Sequence, residues 1–368
     1  MHGEPVAACP ARGVQRLEMN STKKKHPHGH VGGHLGAKHK KRAPKLHILA
    51  CHGVGRVDLG FMYAPLISTL RIGFEALGHE FSVCGAASQT NGTALLHEPA
   101  PFSMLVFIGD KGPQAVPWLQ LRSRGVRTVM YNTERTRPGF PCASNDGRNW
   151  LDPGDGTPIF VDELWDYSQC NIAACADAVP TLRQRYVPPG FVPSTPVRQG
   201  DHLGPLVFIG PTSGGSYAGR APCWRSLTAA LGKSRLARFQ NAFDEEHLGE
   251  ALRRSGAFLN LHKKCTSPAQ PLESFRVSRL LSSSALVLSE RACAADEREF
   301  EGLADFAAAA HLADVYLGLA NKSRAEREAI AGERAARFAT RFAPEALLRR
   351  AGVDALLRDL IARTSSKT

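Results

Sequence analysis

The sequence predicts an α/β protein built from two doubly wound domains. Three observations carry this: short apolar runs alternate with segments of helical periodicity along most of the chain, each run is followed by a Gly-bearing or polar loop, and the pattern restarts after a Pro-rich stretch near the middle. At 368 residues, 43% hydrophobic and 22% charged, the chain is long enough for two separate cores.

Residues 1–45 stand apart from this pattern. They hold ten Lys or Arg against Glu4 and Glu18, which is +8 of the formal net charge of +12. The run KKKHPHGHVGGHLGAKHKKR has almost nothing apolar to bury and is expected to be a disordered basic tail. Its His26, His28, His30, His34 and His39 could capture a transition metal, and its lysines could meet an anionic partner; a solvated extension is the plainer reading. No apolar run reaches the length of a membrane span, and the first residues lack the apolar core of a secretory signal. Nine cysteines, an odd number with no CxxC pair, suggest reduced thiols in a cytoplasmic compartment, which would make the sequons at Asn20, Asn91 and Asn321 chance matches.

Order is expected from Leu46. LHILAC reads as a buried strand, HGVGRVDLG as a loop, YAPLISTLRIGFEALGHE as a helix with Leu66, Leu70, Phe74 and Leu77 on one face, and FSVCG as a second strand. The first loop of such a unit faces the ligand cleft, so His52, Gly53, Gly55 and Asp58 are candidates there. For His52 and Asp58 acid–base chemistry competes with turn and cap roles. MLVFIG, a helix over Pro113 to Arg124, and VRTVMY continue the alternation. Glu134 and Arg135 follow directly from a strand end and either face the cleft or form a surface ion pair. A long Gly/Pro/Asn/Asp-rich loop comes next; Trp165 and Tyr167 then read as core or seam residues rather than base-stacking ones. VPSTPVRQGDHLG reads as the linker between domains spanning 46–195 and 196–342, with 343–368 a final helix.

In the second domain PLVFIG is a strand, PTSGGSYAGR a glycine-rich loop, APCWRSLTAALG a helix and RLARFQ a strand, and a helix follows over Glu245 to Arg254. Gly210, Ser213 and Gly214 could bring backbone N–H groups to a pyrophosphate or form an ordinary turn; no GK[ST] follows, so this is no Walker A loop. Then AFLNLHKKCTSPAQPLESFRVSRLLSSSALVLSE gives a strand over Phe258 to Leu261, a polar loop, a helix from near Pro271 and a strand over Ala285 to Leu288. His262, Lys263, Lys264, Glu273 and Arg276 sit where a strand end meets a helix N-terminus, the usual seat of a nucleotide in a parallel sheet; plain ion pairs are the competing role. Ser289 and Glu290 could contact a ligand or cap the next helix. Ala-rich segments from FAAAAHLADVYLGLA onward read as helices.

The order LWDYSQCN, RYVPPGF, VFIG with its Gly-rich loop, FLNLH, LESFRVSRLLSSSALVLSE and an Arg-rich helical end resembles the GT-B glycosyltransferases, and within them the group-1-like C-terminal domain of spore-protein CgeB-type enzymes. The likeness spans residues 46–350 and is strongest from Leu164 to Glu290. It implies two Rossmann-like domains facing across a cleft, a nucleotide-sugar co-substrate bound mainly by the second, a hydroxyl-bearing acceptor, and no required cofactor or metal. Carried over by position, His262, Lys263 and Lys264 lie near the phosphates and Arg276 matches the arginine of the RxxE helix. This chain has Arg279 where relatives place the acid, and its nearest carboxylate is Glu273. The implied activity is therefore glycosyl transfer; if configuration inverts, a base such as Asp58 or His52 would activate the acceptor, and Glu134 is a further catalytic candidate; a catalytically inactive GT-B-like scaffold is the alternative.

Overall fold

The structure is a computed structural model that describes residues 44–52, 63–85, 92–98, 101–109, 116–135, 161–176, 182–239, 245–265 and 270–365. It divides into units 1–43 and 44–368, and only the second contains described residues. The basic tail up to residue 43, Gly53, Gly55, Asp58 and the loop over 136–160 lie outside them.

The first half begins with β1 (His47–His52), α1 (Ala64–Ala76), β2 (Glu80–Val83), β3 (Met104–Ile108), α2 (Trp118–Ser123) and β4 (Arg127–Asn132), and closes with β5 (Glu163–Asp166), α3 (Gln169–Ala176) and β6 (Arg183–Tyr186). The strands form one parallel six-stranded sheet in the order β2-β1-β3-β4-β5-β6. Successive strands buried on both faces read as near-continuous apolar runs, which is why β1, β3 and β4 are visible in the sequence. β5 and β6 are not, because ELWD and RQRY carry charges. The charge on β5 is compensated in space: the Glu163 carboxylate accepts from Arg185 Nε at 2.5 Å, Trp165 Nε1 at 3.0 Å and Arg127 Nη2 at 3.2 Å. The helix expected over Pro113 to Arg124 is described only from Trp118.

The second half runs β7 (Leu206–Ile209), α4 (Ala221–Leu231), β8 (Leu236–Phe239), α5 (Glu245–Arg254), β9 (Ala257–Asn260), α6 (Ser274–Ser282), β10 (Leu286–Glu290), α7 (Ala294–Glu299), β11 (Asp305–Ala307) and α8 (Leu312–Ala320). Its five strands are parallel in the order β11-β10-β9-β7-β8. β11 corrects the reading of FAAAAHLADVYLGLA as helix throughout: its first residues extend the sheet beside β10, with Asp305 gripped by Arg334 at 2.7 and 2.8 Å. The helices α9 (Arg324–Arg341), α10 (Pro344–Arg350) and α11 (Val353–Ser365) complete the chain. Leu348, Val353, Leu356, Leu357 and Leu360 share a core with Ile48, Leu66, Leu70 and Phe74, so α10 and α11 pack on the first sheet after the chain has finished the second. The connecting residues 187–205 have no regular structure, yet they are held to α6 by Ser278 Oγ donating to the Pro189 carbonyl at 2.7 Å and to α9 by buried Arg327 donating to the Gly200 carbonyl at 2.6 Å.

The cysteines require a correction. Among the described residues seven cysteines are disulfide-bonded, and three of the pairs lie wholly within them: Cys51–Cys84, Cys170–Cys293 and Cys223–Cys265. The odd total suggested free thiols because it hid this pairing, whose partners are 33, 123 and 42 residues apart. Among the described residues no helix is long and apolar enough to cross a membrane.

Candidate functional site

In each sheet the strand order reverses once, between β1 and β3 and between β7 and β9. Loops diverge at such a switch point and leave a crevice at the carboxyl ends of the strands. His52 ends β1 at the first switch; Gly210 and His262 follow β7 and β9 at the second. The two carboxyl edges face each other, because the Lys263 ammonium beyond β9 lies 3.0 Å from the Glu134 carboxylate beyond β4. Nearby, Phe275 at the start of α6 packs edge-on against Tyr63, Tyr131 and Tyr167 of the first half.

Arg220 organises the second edge, and sequence reasoning missed it. Its buried guanidinium donates to the Pro211 carbonyl at 3.2 Å, to those of Leu261 and His262 at 3.2 and 3.3 Å, and to Glu273 Oε1 at 3.3 Å. One side chain thus ties the glycine-rich loop, the end of β9 and the start of α6 together. Arg220 and Arg276 also lie over the Phe208 ring at 5.3 and 5.1 Å. The only sequence signal would have been an Arg closing a Gly-rich loop, too common a feature to select it.

Glu273 occupies the N-cap position of α6, with Arg276 Nη2 3.8 Å from its second oxygen. Burial pushes the carboxyl up, but the charges of Arg276, Arg220 and Lys263 more than offset it and hold the group below its ordinary range. It stays ionised at neutral pH, with 29% of its side chain exposed. Burial lowers Arg276 to about 10, partly countered by Glu273, so it remains a cation. For Lys263 the effect of burial is outweighed by Glu134 and Glu273, and the ammonium is held above its usual value.

His262 is buried and lowered by burial to about 4, hence neutral. Its backbone N–H donates to Glu290 at 2.8 Å and its Nε2 has no hydrogen-bond partner. Lys264 is exposed, and its backbone is bracketed by the Gln270 amide. Ser213 and Gly214 are exposed on the loop, where Gly214 has φ 85°, a left-handed conformation that disfavours a side chain. Gly219 is needed for another reason: a Cβ there would lie 2.5 Å from the Lys263 carbonyl oxygen. In the first half, burial lowers His52 and keeps its imidazole neutral beside Tyr63. Glu134 is set by an Asx turn: its N–H donates to Asn132 Oδ1 at 3.0 Å, while Asn132 Nδ2 and Asn171 Nδ2 donate to its carbonyl at 2.8 and 3.0 Å.

The structure therefore gathers Lys263, Glu273, Arg276 and Glu134 at one place, with Gly210 and His262 beneath and Lys264, Ser213 and Gly214 at the rim. Asp58 lies outside the described residues. Ser289 is not a ligand group at the mouth; it is buried, accepting from Asn260 Nδ2 at 3.0 Å. Two further clusters, Cys170/Cys293/Asp296 and Cys223/Cys265/Glu290, bring potential metal-ligand atoms within 4.8 Å of one another, but their sulfurs are bonded in pairs and no thiolate is left to coordinate.

No family model matches the chain, and no curated protein matches it. Solved structures do. A trehalose-6-phosphate structure from E. coli bound with UDP-2-fluoro glucose aligns with 11% identity over 86% of this chain and 99% of that one, TM-score 0.53. HepE from Anabaena, in complex with UDP-glucose, aligns with 14% identity over 88% and 100%, TM-score 0.51. The N-terminal domain of trehalose-6-phosphate phosphatase from Candida albicans aligns with 8% identity over 88% and 98%, TM-score 0.51. With its two parallel sheets, the reversal in each and the facing carboxyl edges, the chain has the GT-B fold.

Proposed function

We propose that the protein is a glycosyltransferase that moves a sugar from a nucleotide-sugar donor to a hydroxyl-bearing acceptor. The observation that carries this is the cationic set Lys263, Arg220 and Arg276 around ionised Glu273, at a helix N-terminus on the carboxyl edge of the second sheet. Such an edge attracts a diphosphate through charge and through free backbone N–H groups. In this reading Lys263, the loop around Ser213 and Gly214, and exposed Lys264 bind the phosphates. They also stabilise the charge that develops on the diphosphate as the glycosidic bond breaks. Glu273 accepts hydrogen bonds from the ribose hydroxyls, a role open to a partly exposed carboxylate whose charge is secured by two arginines. Arg276 and Arg220 position Glu273. On the opposite edge, neutral His52 or Glu134 takes the proton of the acceptor hydroxyl, Glu134 once the phosphates have drawn Lys263 away.

The likeness to proteins whose structures contain UDP-glucose or its fluoro analogue supports a uridine-type donor. Paired cysteines favour an oxidising compartment over the cytoplasm.

A second reading, a GT-B scaffold without transferase activity, is favoured by Arg279 in the place of an acid and by the Glu134–Lys263 pair closing the edge. Turnover of UDP-sugars by the purified full chain separates the two. Slow hydrolysis that falls at least tenfold in Lys263→Ala and in Glu273→Ala supports the enzyme; no turnover with any sugar, together with no binding of UDP at millimolar concentration, supports the scaffold.

A further inference from the structure

At one end of the cleft, α3 and α7 begin at the carboxyl edges of different sheets, and three connections join them. Asp296, in the first turn of α7, accepts from Ser168 Oγ at 2.7 Å and the Gln169 N–H at 2.8 Å in the first half, and from the Leu272 N–H at 3.0 Å in the second. Beside it, Cys170 is disulfide-bonded to Cys293. Both sulfurs stand on backbone that leads into the charged site: Asn171 Nδ2 donates to the Glu134 carbonyl at 3.0 Å, and the Cys293 N–H donates to the carbonyl of Gln270, whose amide holds Lys264.

We propose that Cys170 and Cys293 form a redox modification site whose oxidised state clamps the two halves of the molecule together and fixes the spacing of Glu134 from Lys263. Two domains that face each other across a cleft move relative to each other by default, and the Asp296 hydrogen bonds at this end of the cleft are reversible contacts that permit such motion. A covalent bond at the same place limits it. The other two pairs that lie wholly among the described residues cannot do this: Cys51–Cys84 joins β1 to the end of β2, and Cys223–Cys265 joins α4 to the loop after β9, each within one half. Cys170 is half-buried and Cys293 buried, so an external thiol or disulfide reaches the Cys170 sulfur first. Closure is thiol–disulfide exchange with a disulfide oxidant: the two S–H bonds are lost, one S–S bond forms, and two electrons and two protons pass to the oxidant, which leaves as two thiols. A consequence for donor affinity rests on the transferase reading; the clamp itself does not.

The test uses the full chain purified without reductant. Peptide mapping after alkylation is expected to recover Cys170 linked to Cys293. Hydrogen exchange without ligand is expected to accelerate at least tenfold at the amide of Gln169, which bonds across to Asp296, in Cys170→Ser/Cys293→Ser, and to change little there in Cys51→Ser/Cys84→Ser. If the first variant does not fold, the wild type titrated stepwise with a thiol reductant and quenched by alkylation gives the same comparison, exchange rising in step with alkylated Cys170. Free thiols at both positions in the unreduced protein, a metal bound to them, or unchanged exchange on opening the bond overturns the clamp. UDP titration of the same samples keeps the questions apart: a clamp without UDP binding in any form refutes the donor reading alone.

Discussion

Arg220 and Glu273 show how much a site depends on residues whose importance the sequence conceals. Lys263, Lys264 and His262 could be found because a charged triplet follows an apolar run, and Glu273 because it opens a helix. Nothing in the sequence near Arg220 indicates that it gathers three backbone carbonyls and Glu273 onto one guanidinium, since its partners lie 9 to 53 residues away. His262 illustrates the converse: the residue was legible, but its neutral state was not, because that state comes from burial. A histidine whose folded pKa lies near 4 rather than the ordinary 6.5 takes up its proton more readily when unfolded. Stability attributable to it is therefore intact above pH 6.5 and is lost as pH falls toward 4. Relative to His262→Gln, wild type is expected to lose about 3 kcal/mol between those pH values in urea unfolding. A constant difference between the two proteins across that range would refute it.

At the scale of elements, most strands that could be read are apolar runs buried on both faces, with β2 and β8 read from their place in the alternation although they are only partly buried; those that could not were β5, β6 and β11, where Glu163, Arg185 and Asp305 interrupt the run. Charge in a central strand is tolerable only with partners, and these come from neighbouring strands and from a helix far along the chain. Glu163 is fully buried between Arg185, Trp165 and Arg127. Burial pushes its carboxyl up, and the hydrogen bonds and charges of those partners outweigh burial and hold it below 4.5, so this stability is present above that pH and lost as pH falls further. Arg185 also donates to the Ala351 carbonyl in the turn between α10 and α11, so the same group fastens the C-terminal helices to the sheet. Glu163→Gln leaves Arg185 buried without its counter-charge and is expected to cost about 3–5 kcal/mol. Chemical denaturation near pH 7 measures this; a loss below about 1 kcal/mol would show that the ion cluster is dispensable.

For the whole molecule, the alternation of strands and helices was enough to anticipate two doubly wound sheets, and the segment order was enough to suggest GT-B. What could not be anticipated is how the halves are joined. The bonds across the cleft, Lys263 to Glu134, Asp296 to Ser168 and Cys170 to Cys293, link positions more than 120 residues apart, and no local pattern announces them. They matter because the proposed chemistry needs groups from both edges at once: a cationic edge for the departing diphosphate and a base on the other for the acceptor. The most direct measurement is isothermal titration of the full chain with UDP, beside Lys263→Ala and Glu273→Gln. The expected result is saturable 1:1 binding by wild type, weakened about tenfold or more by each substitution, which corresponds to roughly 1.4 kcal/mol. Binding that is absent at millimolar UDP, or equal in all three proteins, would contradict a nucleotide-sugar site at this edge.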